Sequence, residues 1–178
     1  VITQPPSPAQ PKQTIQGTQA HPGATLKMLN SANQQIPGTF TLNGSSWTFT
    51  PRENWGAGTN KIKAVQTVDG VESAASNVCT FTRPPQKLEI LPLSNPVPIN
   101  QTLVIRKVAD DPVLLEMFST ANKLVPGTFT RYTSSHTFTP TETWTPGVNN
   151  VYAVQTVGGV KSDPSDVCTF GVKPPKPV

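Results

Sequence analysis

Residues 38–81 read GTFTLNGSSWTFTPRENWGAGTNKIKAVQTVDGVESAASNVCTF, and residues 127–170 read GTFTRYTSSHTFTPTETWTPGVNNVYAVQTVGGVKSDPSDVCTF. Laid over one another at an offset of 89, they agree at 27 of 44 positions without a gap. The match extends upstream: Leu26, Met28, Ala32, Asn33 and Pro37 fall on Leu115, Met117, Ala121, Asn122 and Pro126. Self-similarity over this length marks a duplicated structural unit. The expectation is therefore two copies of one domain, residues 1–85 and 86–178. A Pro-rich lead-in (1–12) opens the first copy and a Pro-rich tail (173–178) closes the second. Proline removes backbone donors and favours extended, stiff backbone, so these stretches read as semi-rigid spacers.

The quoted stretch also decides the class of fold. Within it, residues 39–42 and 47–50 are short β-formers flanking Asn43-Gly44-Ser45-Ser46, a strong hairpin signal. Pro51 ends the second of these strands, and 52–60 reads as a long connection carrying Trp55 and Gly58. Residues 61–68 are the best strand, with a turn at Asp69-Gly70, and 76–82 is the last. Ahead of the quoted stretch lie strands at 14–19 and 24–30, joined by His21-Pro22-Gly23. Strands every 8–12 residues imply a sandwich, so each copy is expected to be an all-β sandwich. One segment conflicts: 113–124 places Leu114, Met117, Phe118, Ala121 and Leu124 at helical spacing. Its counterpart in the first copy alternates Leu26, Lys27 and Met28, which is strand spacing. Two such similar copies share one fold, and strand is expected in both.

Composition supports this reading. Of 178 residues, 20 are Pro and 12 are Gly, while charged residues are 13% and aromatic residues 7%. Thr, Val, Asn, Ser and Gln fill much of the remainder, the chemistry of strands and turns. No apolar run approaches the ~20 residues of a membrane-spanning helix. The start, VITQPPSPAQP, has no leader character, which suits a processed or excised segment. A net charge of +4 raises nucleic acid as a partner. The basic residues are scattered, however, and a nucleic-acid footprint needs them clustered.

Repeated residues have expected roles. Phe40, Phe49 and Phe81, with Phe129, Phe138 and Phe170, point inward. Ile62, Ala64, Gln66 and Val68 share one face of the best strand, as do Val151, Ala153, Gln155 and Val157. Gln66 and Gln155 are then amides buried in the core or set at its rim, each pinning a loop by hydrogen bonds. Trp55 and Trp144 cover one end of the core. Cys79 and Cys168, one per copy, are small buried apolar residues and not a disulfide pair. Trp47 faces His136 in the alignment and is expected to be half exposed.

Catalysis has little to work with. His21 and His136 do not recur between copies, Asp110-Asp111 is the only adjacent acidic pair, and no nucleophile elbow, zinc motif, phosphate loop or C-x-x-C is present. Asp69, Glu72, Asp163 and Asp166 do not align as a calcium-ligand set. No enzyme activity, cofactor or metal is expected.

The motifs Gly17-Thr18-x-x-x-Pro22-Gly23-Ala24-Thr25-Leu26, Ser46-Trp47-Thr48-Phe49-Thr50-Pro51, Gly58-Thr59-Asn60-Lys61-Ile62-Lys63-Ala64 and Gly70-Val71-Glu72-Ser73 together resemble bacterial immunoglobulin-like repeats of large surface adhesins and other exported proteins. The resemblance covers most of 14–82 and, less closely at its start, 101–172. It implies an immunoglobulin-like β-sandwich, usually non-enzymatic, in a surface or secreted protein. The family's acidic turn is altered to Asp69-Gly70-Val71-Glu72-Ser73 and Gly158-Gly159-Val160-Lys161-Ser162, which weakens the carry-over of calcium binding. The Pro-Gly-Ala turn becomes Asp110-Asp111-Pro112-Val113 in the second copy. The resulting expectation is a monomeric stalk that presents another module, with neighbouring repeats as its partners. Two alternatives remain. One is a module for a host receptor or glycan, using Trp47, Tyr132 or Tyr152. The other is a structural domain of a phage tail or toxin-delivery particle.

Overall fold

The computed structural model describes residues 1–110 and 113–174, so Asp111, Pro112 and the last four residues of the Pro-rich tail lie outside the described residues. The chain divides into two compact units, Val1–Pro84 and Pro85–Val178. Among the described residues every regular element is a β-strand, and no helix is long and apolar enough to cross a membrane.

The first unit contains β1 (Ile15–Gly17), β2 (Thr25–Asn30), β3 (Gly38–Asn43), β4 (Ser46–Pro51), β5 (Gly58–Val68), β6 (Val71–Glu72) and β7 (Cys79–Arg83). They form one sheet of order β1-β4-β3 and a second in which the long β5 pairs with β2, β6 and β7. The hairpin read from Asn43-Gly44-Ser45-Ser46 is present: Asn43 pairs with Ser46, and Gly44 takes a positive φ of 61°. That conformation costs glycine little. The second unit contains β8 (Glu89–Ile90), β9 (Leu103–Arg106), β10 (Val113–Ser119), β11 (Gly127–Arg131), β12 (His136–Pro140), β13 (Gly147–Val157), β14 (Val160–Lys161) and β15 (Cys168–Val172). Its sheets are β11-β12-β9-β8 and β13 paired with β10, β14 and β15. The ambiguous segment 113–124 is strand through Ser119. Leu114 is exposed, and Met117 is buried opposite Ala153.

Each unit has its own core, drawn from both of its sheets. Phe49 of β4 and Phe81 of β7 are buried together with Ile15, Met28 and Ile62; Phe138 and Phe170 are buried with Leu103, Met117 and Val151. Phe40 and Phe129 lie at the core's edge, partly buried, each 4.9 Å in ring-centroid distance from the fully buried Phe of the paired strand. Trp55 lies between the sheets as a wedge, 6.2 Å from Phe49 and edge-on to Phe81 at 5.1 Å. Its Nε1–H donates to the Gln13 carbonyl at 2.7 Å. Trp144 repeats this with Phe138, Phe170 and the Gln101 carbonyl. A buried indole needs such an acceptor, and these bonds tie the approach to the first core strand onto the core.

One sequence expectation fails. The lead-in 1–12 is not a spacer. Ile2 and Ala9 are core residues, and the Ile2 backbone is held from both sides by the Asn77 amide. At the start of the copies, upstream of the aligned stretch, the offset is 88. The backbone N–H of Trp55 donates to Pro11 and that of Trp144 to Ile99, placing equivalent lead-in residues 88 apart. The extra residue of the second copy lies after Ala109, which matches His21, and before Leu114, which matches Thr25.

Candidate functional site

The three aromatic candidates do not converge. Trp47 is only 4% exposed, which corrects the expected half-exposure. The reason is its cross-strand neighbour. Trp47 pairs with Gly17, and a Cβ on residue 17 would fall inside the Trp47 ring, so the indole lies flat over bare backbone. In the second unit the paired residues are Ile105 and His136. Bulk has moved from one strand to the other, which an alignment column showing only Trp against His conceals. Tyr132 is 57% exposed, in the loop after β11, where its N–H donates to the Ser135 carbonyl. Tyr152 is on β13, in the other sheet. It is half-buried, stacks on Phe118 at 5.5 Å and 19°, and donates its hydroxyl to Asn122 Oδ1 at 2.8 Å. Lys161 Nζ lies 5.9 Å from the Phe118 ring centroid and pairs with Glu116 at 3.2 Å. The first copy has Leu29 and Lys63 at the Phe118 and Tyr152 positions, so this aromatic face belongs to one copy only.

Among the described residues, no group of three or more His, Cys, Asp or Glu side chains could hold a metal ion. Asp166 instead pairs with Lys87 at 2.6 Å, and Glu72 with Lys27 at 3.1 Å. Burial pushes the Cys79 and Cys168 thiols above their ordinary pKa. The neutral thiol is thus favoured in the fold, and a thiolate nucleophile is disfavoured. Stability from this source is fully present below the unfolded thiol pKa and is lost as pH rises through the raised native value. We expect a thiol reagent to leave both cysteines unlabelled in the native chain at neutral pH and to label both in urea. We also expect the urea midpoint to fall as the solution is taken above about pH 9. Rapid native labelling would disprove this.

The most organised polar groups are the two glutamines expected to pin loops. Gln155 is 0% exposed. Its Oε1 accepts the Ala109 N–H at 2.8 Å, and its Nε2 donates to the carbonyls of Gln86 at 2.6 Å and Lys107 at 3.1 Å. Gln66 repeats the first bond, accepting the His21 N–H at 2.8 Å, but is only partly buried. Next to each glutamine lies a motif that the sequence reading missed. Ser73 and Ser76 accept the N–H groups of Gln66 and Ala64, and Ser162 and Ser165 accept those of Gln155 and Ala153. Serine hydroxyls continue the edge of the sheet where the strand pauses. The recurring Ser-x-x-Ser was visible in both copies, but it reads as loop because serine ordinarily competes with strand pairing.

No protein-family model matches the chain, and no curated protein matches it. Among solved structures it is similar to the BSP domain of a biofilm-associated protein, at 16% identity and a TM-score of 0.38, over 99% of this chain and 30% of that one. It is also similar to an I-band fragment of titin, at 6% identity and a TM-score of 0.46, over 93% of this chain and 60% of that one. A third similar structure is the tandem Ig repeats of Dlar, at 10% identity and a TM-score of 0.29, over 97% of each chain. The chain thus spans less than two thirds of the first two. By the sheet architecture, it is an all-β tandem of two immunoglobulin-like β-sandwiches.

Proposed function

We propose that this chain is a non-enzymatic structural spacer from a bacterial cell-surface or secreted protein, an adhesin, in which it holds another module in position. Its partners are neighbouring repeats of the same polypeptide, and the fragment is monomeric. The observation that carries this reading is how the backbone enters and leaves each sandwich. In the first unit Ala9 N–H donates to the Thr82 carbonyl at 2.8 Å, and Ser7 and Thr82 share a hydroxyl bond at 2.8 Å. In the second, Val97 bridges Val172 in parallel, its N–H donates to the Gly171 carbonyl, and Asn95 Oδ1 accepts the Gly171 N–H. The incoming segment and the last strand thus run side by side. Tension applied through the chain ends shears these bonds together instead of peeling them one at a time. A spacer that transmits force gains from this.

Single-molecule pulling on the whole chain tests the proposal. Two unfolding events are expected, and Val97→Pro, which deletes a donor of the parallel bond, should lower the force of one of them. An unchanged force for Val97→Pro removes the mechanical argument.

The half-exposed Phe118–Tyr152 stack beside Lys161 favours one second reading, a sugar- or receptor-binding face. Saturable glycan binding abolished by Tyr152→Ala would replace the spacer proposal.

A further inference from the structure

The two sandwiches differ at one amide in a way that the fold alone does not explain. In the second unit, Gln155 is closed over by the residues that lead into β8. Gln86 offers its carbonyl to Gln155 Nε2 and sends its own Nε2 to the Lys107 carbonyl at 3.3 Å. Lys87 pairs with Asp166, and Leu88, 2% exposed, is part of the core. In the first unit, Gln66 Nε2 has no protein acceptor among the described residues. Gln66 lines a cleft of about 400 Å³ together with Val1, Gln19, Trp47 and Asn77.

These lining residues are the counterparts of the groups that 86–88 engage. Val1 and Thr18 exchange backbone hydrogen bonds, as the β8–β9 pair Glu89 and Arg106 do at the same place in the other sheet. Val1 therefore stands where Glu89 stands. Gln19 and Lys107 are the equivalent positive-φ residues, at 67° and 62°. Asn77 aligns with Asp166. The cleft occupies the place that Gln86, Lys87 and Leu88 fill in the second unit.

We propose that this cleft is the seat for an extended Pro-Pro-x-x-aliphatic segment joined to Val1, of the kind that Pro84-Pro85-Gln86-Lys87-Leu88 supplies to the second unit. The carbonyl of its third residue takes the free hydrogens of Gln66 Nε2. Its aliphatic fifth residue covers the apolar floor beside Trp47. The chain carries this pattern a second time, as Pro174-Pro175-Lys176-Pro177-Val178. The inference does not rest on the spacer role, because it concerns only how one sandwich is completed.

The test uses the full chain with Arg-Pro-Pro-Gln-Lys-Leu attached ahead of Val1, beside a control carrying a Gly-Ser hexapeptide. Hydrogen exchange of the Gln66 side-chain amide, followed by NMR, should slow about tenfold or more with the first extension and not with the second. The first unit's melting midpoint should rise by roughly 4–8 °C with it. In the extended chain, Gln66→Leu should abolish most of that rise while leaving the second unit's midpoint unchanged. Equal exchange and equal melting in the two extended chains would overturn the proposal. So would concentration-dependent protection of Gln66 in the unextended chain, because the occupant would then be the tail of a second copy.

Discussion

Gln155→Leu is expected to destabilise the second unit by about 3–5 kcal/mol, while Gln66→Leu costs the first unit about 1 kcal/mol or less. Leucine approximates the shape of the side chain, so packing is nearly kept and the polar groups decide the outcome. Removing the Gln155 amide strands the part-buried Ala109 N–H and the donor-less Gln86 carbonyl, while the Lys107 carbonyl keeps the Gln86 Nε2 donor. Each of these two part-buried groups left unpaired costs about 1–3 kcal/mol. Gln66 has one such bond, to the His21 N–H, and its amide is open to water. Water can repair that loss. For units of this size, 3–5 kcal/mol corresponds to a fall of roughly 12–40 °C in melting midpoint. It is a large part of the ~5–15 kcal/mol that holds a domain folded. Urea titrations that follow amide signals from each unit separately read out both substitutions. Equal costs at the two positions would show that the Gln155 bonds contribute no more than a solvated amide does.

That asymmetry shows how far the sequence could be read. The alternation Ile-x-Ala-x-Gln in the first copy and Val-x-Ala-x-Gln in the second placed both glutamines on an inward face or at its rim and marked them as loop-pinning amides, because a strand has period two and a buried amide must be bonded. The partners were not legible. Gln86 reaches Gln155 across 69 positions, and no local pattern encodes a bond of that separation. The strands and the hairpin at Gly44 were visible because they depend on near neighbours. The role of Ile2 and Ala9 was hidden by the prolines around them, which signal extended backbone equally well for a linker and for a sheet-edge segment. The aromatic candidates rest on residue type and, for Trp47, on its alignment with His136. Exposure depends on what lies opposite, as Trp47 over Gly17 shows.

The second large effect follows from that pair. Trp47→His alone removes a buried indole from a bare-backbone floor and leaves a cavity, at a cost of about 3–4 kcal/mol. Gly17→Ile alone drives a branched side chain into the Trp47 ring and onto the Val1 carbonyl oxygen, the second of which Trp47→His does not relieve, and overpacking of this kind costs about 1–3 kcal/mol or more. The two changes together recreate the Ile105–His136 pair that the second unit already uses at this place. The double variant should therefore be more stable than the sum of the single costs predicts, by about 2–3 kcal/mol, which is the size expected for residues in direct contact. The reciprocal exchange, Ile105→Gly with His136→Trp, should show coupling of the same sign in the second unit. Thermal and urea unfolding of the four variants in each cycle measure it. If the costs simply add, the two strands carry their bulk independently, and the burial of Trp47 needs a cause other than the glycine beneath it. If they couple, the copies share one packing solution written in two ways, with volume conserved across a strand pair and not at a position. That also explains why neither Trp47 nor His136 recurs while the sheet around them does.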